Sequence, residues 1–224
     1  MYNFVEDKEF LKRAQGFCSN FMKKVEETLR EEGINTQFFL VGSGARNMVT
    51  QNENEPIDFD YNLNVLSVDG SSDIDDWNEK DIKHRLIITC NKVMRLFNMR
   101  DVDDSTSSIT TKPMYYNDEP NIQFSIDICI VTKLNNQWYR LIHEKGLNSY
   151  YDKYYWNEAP RSHNYQRKSF AIKSVPGWWE KLRDEYLNIK NHYLTRNDHN
   201  HPSFVCYIEA VNNIYNQMKQ LKLV

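Results

Sequence analysis

The chain has 224 residues, enough to bury a sizeable core as one domain or as two small ones. Its formal charge of −3 and pI near 6.1 argue against a general nucleic-acid binder, because such proteins carry a strong basic excess. Four widely spaced cysteines, Cys18, Cys90, Cys129 and Cys206, form no CxxC pair and read as buried thiols. No run approaches the ~18 apolar residues a membrane span requires, and the first residues lack the basic-then-apolar order of a secretion signal. The expectation is a soluble, cytoplasmic protein with no membrane partner.

From Asp7 to Glu32, Phe10, Ala14, Phe17, Phe21, Val25 and Leu29 recur every three or four positions, which predicts one long amphipathic helix stopped by Gly33. "TQFFLV" (36–41) follows as a buried strand and "GSGARNMV" as a turn opening a short helix. "IDFDYNLNV" (57–65) reads as a second strand with period-two alternation. Ile82, Leu86, Cys90, Val93 and Phe97 predict a second long helix over about 77–99. "STSSITTKPMYY" and "NIQFSIDICIVTKL" read as strands joined through "NDEPN", and "NQWYRLI" (136–142) as a third. "YYDKYYW" (150–156) reads either as a packed hinge or as a base-stacking surface. Beyond Ser162 the pattern is helical. A mixed α+β half, 1–150, is therefore expected to precede a helical half, 151–224.

The chemistry concentrates in a few carboxylates. Successive strand side chains point to opposite faces, so Asp58 and Asp60 share one face while Ile57, Phe59 and Tyr61 share the other. Two acids one pleat apart can share a cation, although a bare acid-apolar-acid pattern is equally what a solvated strand face carries. Two further features point to function. "VGSG" just upstream runs a strand into a turn and a helix start, where backbone N–H groups suit phosphate oxygens. Asp127 in "FSIDICIV" is a lone acid in the most apolar strand, and a carboxylate there needs a partner or a metal. Charge is also uneven: residues 53–76 hold eight acids and no base, whereas 151–196 hold nine Lys or Arg against five acids.

The order of these elements resembles the nucleotidyltransferase superfamily whose fold is shared with DNA polymerase β. Val41-Gly42-Ser43, Asp58-Phe59-Asp60 and Ile126-Asp127-Ile128 carry the resemblance, which covers about residues 1–142. Arg46 adds a likeness to the archaeal CCA-adding and oligoadenylate-synthase-like enzymes. The fourteen residues between Ser43 and Asp58 imply an extra turn at "TQNENEP". The resemblance implies a polymerase-β-like α+β core. In it Gly42 and Ser43 would hold the triphosphate of an NTP, and Asp58, Asp60 and Asp127 would bind two Mg²⁺ ions, with Mn²⁺ as a substitute. Asp127 would also help deprotonate an attacking hydroxyl. Hard oxygen ligands suit such ions, and a two-ion site stabilises both entering and leaving oxygens at phosphorus.

Arg46 is read either as a phosphate contact or as the partner of a nearby acid. Arg161, Arg167, Lys168 and Lys173 are candidates for facing an anionic substrate, or else a solvated helix face. His199 and His201 form a possible metal pair, or simply a polar loop. The function these features suggest is a Mg²⁺-dependent transfer of a nucleoside monophosphate from an NTP to a hydroxyl, releasing pyrophosphate. The acceptor is open between a small molecule, a nucleotide and a protein, all favoured over a large RNA. The alternative is a nucleotide- or RNA-binding module that kept the fold without the chemistry.

Overall fold

The computed structural model describes residues 1–159, 164–198 and 202–224, with backbone alone for 119–121. In chain order the elements are β1 (Tyr2–Phe4), α1 (Lys8–Glu31), β2 (Ile34–Leu40), α2 (Gly42–Ala45), β3 (Thr50–Asn52), β4 (Ile57–Val68), α3 (Glu79–Leu96), β5 (Asp103–Asp104), β6 (Ile109–Thr110), β7 (Met114–Tyr116), β8 (Glu119–Leu134), β9 (Gln137–Glu144), β10 (Lys153–Glu158), α4 (Tyr165–Lys173), α5 (Trp178–Thr195) and α6 (Ser203–Gln220). They form two compact units that interleave along the chain. One comprises Glu6–Ala45 and Pro56–Ala159, the other Met1–Val5, Arg46–Glu55 and Pro160–Val224.

The first unit is built on a mixed sheet of order β10-β9-β8-β4-β2, with β5, β6 and β7 added alongside β8. β4 and β8 run parallel, and every other pairing in this sheet is antiparallel. α1 starts where Asp7 accepts from Phe10 N at 2.9 Å, and α3 where Asn78 accepts from Asp81 N at 2.9 Å; both are side-chain caps that satisfy a first-turn donor. The apolar stripe of α1 buries Phe10, Ala14, Cys18, Phe21, Met22, Val25 and Leu29, and α3 buries Ile82, Leu86, Cys90, Val93 and Met94. These pack on the sheet face that carries Ile57, Phe59, Tyr61, Leu63, Ile126, Ile128 and Ile130. Ring contacts of Phe10 and Phe17 with Phe124, and Ser19 Oγ at 3.3 Å from Tyr61 Oη, fix the contact. Burying side chains of this size contributes about 1.5–3 kcal/mol each.

The second unit packs α4, α5 and α6 around Ile172, Leu182, Tyr186, Tyr207, Ala210, Val211 and Ile214, with Met48 inserted among them. A two-stranded ribbon, β1 antiparallel to β3, joins it through Asn191, whose amide bonds both the N–H and the carbonyl of Tyr2. The segment "TQNENEP" therefore contains a strand as well as the turn that closes it, where Glu55 N bonds Asn52 O at 2.9 Å. Among the described residues no helix is long and apolar enough to cross a membrane.

The sequence reading is corrected at "YYDKYYW". These residues are not a hinge: they form a 3-10 turn and most of β10, an edge strand whose Trp156 pairs with Leu141 of β9. "STSSITTKPMYY" is likewise broken, giving two short strands, β6 and β7, in place of one.

Candidate active site

Parallel pairing of β4 with β8 decides what the carboxylates see. The register sets Asp58 against Ser125, Asp60 against Asp127 and Asn62 against Cys129, all on the face turned away from α1 and α3. Next to β8, β6 sets Thr110 against Asp127, and β5 sets Asp103 against Thr110. A single row thus runs Asp60, Asp127, Thr110, Asp103 across four strands. Asp58 lies one pleat away, about 7 Å along β4.

Each acid has its own support. Ser125, itself buried, donates its hydroxyl to Asp58 Oδ1. Thr110 Oγ1 donates to Asp127 Oδ1. Lys112 pairs with Asp103. Asp60 packs against the Gly-Ser turn: a Cβ built on Gly42 would fall 2.0 Å from Asp60 Oδ2, and Gly42 holds φ at +64°. Both facts demand glycine there. The turn is tied to the same strand by Val41 N, which bonds Asp60 O at 2.8 Å. Ser43 is the second residue of α2, a helix of four residues whose first N–H groups have no acceptor within the helix.

Asp58 is exposed, whereas Asp60 and Asp127 are half-buried. Two carboxylates on one rung repel by roughly 3 kcal/mol at 5 Å and an effective dielectric of 20, before solvent screening. Cys129, on the next rung, registers the same field. Burial pushes its thiol up, the Arg140 guanidinium opposes this, and Asp60 and Asp127 add to the rise. Asp60 and Asp127 are rung partners, Asp58 is held back on Ser125, and among the described residues no group of three His, Cys, Asp or Glu is arranged to hold a metal ion.

The remaining candidates belong to the helical unit. Arg46 lies with its guanidinium 4.3 Å from the centre of the Tyr207 ring and 5.5 Å from that of Phe204. Lys168 donates to Asn212 Oδ1 at 2.6 Å, and Lys173 lies 4.2 Å from the Trp179 ring centre. Arg167 is exposed on α4. Arg161, His199 and His201 lie outside the described residues. Sequence reading missed Ser125 and Thr110. A hydroxyl at the same parity as Asp127 in "FSIDICIV" was a usable signal for Ser125, whereas nothing local marked Thr110.

No family model and no curated protein matches the chain. Solved structures do match. A Vibrio cholerae DncV structure with GTP bound superposes with a TM-score of 0.55 at 13% identity, covering 81% of this chain and 45% of that one. The CdnC of E. coli MS115-1 with ATP gives 0.52 at 13% identity over 95% of this chain and 62% of that one. The Bradyrhizobium diazoefficiens CD-NTase CdnG in complex with GTP gives 0.52 at 14% identity over 90% and 64%. The chain spans between 45% and 64% of the length of these neighbours. At such identities the likeness is one of fold, and that fold is the polymerase-β-like nucleotidyltransferase core followed by helices.

Proposed function

We propose that the protein is a nucleotidyltransferase that moves a nucleoside monophosphate from an NTP to a hydroxyl acceptor and releases pyrophosphate. The observation that carries this is the rung shared by Asp60 and Asp127, with Asp58 beside it and Gly42 packed against Asp60. Neighbours of the same fold bound to GTP or ATP support a triphosphate substrate.

The donors suit Mg²⁺ or Mn²⁺ in kind: all are hard carboxylate oxygens, and a divalent cation would relieve the like-charged rung. Asp60 and Asp127, with Asp58 flanking them, would hold two such ions, which when bound supply charge stabilisation to the entering and leaving oxygens. The chain's own residues do the rest. Gly42 and Ser43 present backbone N–H groups to the β- and γ-phosphates. Asp127 takes the proton from the acceptor hydroxyl as its oxygen bonds to the α-phosphorus and the bond from that phosphorus to the bridging oxygen breaks.

The test is a turnover screen of the four NTPs with Mg²⁺ or Mn²⁺, with products read by mass spectrometry, on wild type and Asp127→Asn. Asp127→Asn is expected to lose most turnover and keep triphosphate binding. Because it removes a charge from an apolar strand while keeping an acceptor for Thr110, the metal-free variant should be at least as stable as wild type. A variant that unfolds, or one that turns over normally, assigns Asp127 a packing role and ends this reading.

A further inference from the structure

β5 and β6 are two residues long each, far short of what holds a hairpin together in water. A buried cation holds this one. Lys83, on α3, is 1% exposed and donates to Ser105 O and Ser108 O at 3.2 Å, the two carbonyls of the turn between β5 and β6, while its ammonium lies 3.1 Å from Asp104 Oδ1. Ser105 closes the same turn, N–H to Ser108 O at 3.1 Å and hydroxyl to Ser108 Oγ at 2.8 Å. On the other side of β6, Thr111 N donates to Ile126 O at 3.0 Å and Thr111 Oγ1 accepts from Ile126 N at 2.9 Å. Position 110 is therefore fixed at both ends.

Adjacent residues of a strand face opposite ways. Asp104 and Ile109 meet the clamp on the core side, whereas Asp103 and Thr110 face the carboxylate row. An ammonium buried this deeply is costly unless fully ligated, and what it immobilises is the residue whose hydroxyl meets Asp127. Backbone pairing at position 110 needs no hydroxyl; valine would pair as well.

We propose that Thr110 is a positioning residue for the reaction assigned above. By engaging Asp127 Oδ1 it fixes the carboxylate's rotation and leaves Oδ2 as the oxygen offered to a cation, so that Asp127 acts as a one-oxygen ligand. Hydrogen bonds that orient a metal ligand in this way typically change metal affinity or activity by about 10–100-fold when removed. The inference rests on the metal-dependent reading of the site.

Mn²⁺ alone, titrated by calorimetry into wild type, Thr110→Val, Thr110→Ser and Asp127→Asn, tests it, with turnover measured across Mg²⁺ concentrations. Thr110→Val should bind Mn²⁺ about 10–100-fold more weakly and need correspondingly more Mg²⁺ for half-maximal turnover, with KM for the NTP unchanged at saturating metal. Thr110→Ser, which keeps the hydroxyl, should stay close to wild type. Wild-type affinity in Thr110→Val overturns the proposal, and so does an equal loss in Thr110→Ser, which would assign the effect to the methyl group. If Asp127→Asn binds Mn²⁺ as wild type does, the metal-site reading falls and the proposal with it. If only Asp127→Asn is weakened, Thr110's role alone falls.

Discussion

At the scale of single residues, Gly42 is the most constrained position of the site. A methyl group would sit inside the contact distance of Asp60, and φ of +64° adds strain of about 1–2 kcal/mol for any L side chain. Gly42→Ala should therefore displace the Asp60 carboxylate and abolish turnover, while circular dichroism shows the fold intact; turnover within twofold of wild type would show that the turn and the acid are independent. Asp58 and Asp60 were legible because a period-two strand fixes the face of every side chain. The contact of Arg46 with Tyr207 was not, because it joins residues far apart in sequence and no local pattern encodes it.

At the scale of elements, both α1 and β4 could be read from periodicity, since each buries one face and exposes the other. β10 could not: none of its six residues is buried, and aromatics stand on both faces, Tyr154 and Trp156 on one and Tyr155 on the other, so its sequence carries no period-two alternation. The two-residue strands β5 and β6 are too short to show any period, and they exist because tertiary contacts hold them. Those contacts extend past Lys83. His143, 4% exposed, lies between Asp104 (2.7 Å) and Asp152 (3.0 Å) and stacks on Tyr154, so the network links α3, β5, β9 and the start of β10. The Gly146 N–H and the His143 ring hold the Asp152 carboxyl below the usual carboxylate range. A carboxyl depressed in the folded state stabilises it above the ordinary value near pH 4, and that contribution is lost as pH falls through the depressed value. Asp152→Asn should therefore lower the melting temperature at pH 7, and the gap to wild type should close as pH falls below about 4 and through the depressed value. A gap that stays constant with pH would trace the effect to lost packing.

At the scale of the whole molecule, the two compact units interleave, so segments 1–5 and 46–55 belong with the C-terminal helices although they lie among the elements of the sheet unit in sequence. Sequence alone suggested a single boundary near 150, because composition changes there and the short ribbon β1–β3 carries no compositional mark. Charge distribution was visible from the start. With eight acids and no base over 53–76, the segment that bears Asp58 and Asp60 repels a triphosphate unless a divalent ion intervenes. NTP affinity by calorimetry should accordingly collapse in EDTA and return with Mg²⁺, and equal affinity in both conditions would count against the site.

The rung that joins Asp60 to Asp127 also has a history within each molecule's synthesis. Its partners on β4 and β8 lie 67 residues apart in the chain, and the parallel pairing between them demands closure of a long loop. A growing chain exposes the DxD strand well before the strand that completes the site has left the ribosome. A cation held by Asp60 and Asp127 together would therefore require β4 and β8 to be paired, so its binding would report that this part of the sheet has been assembled.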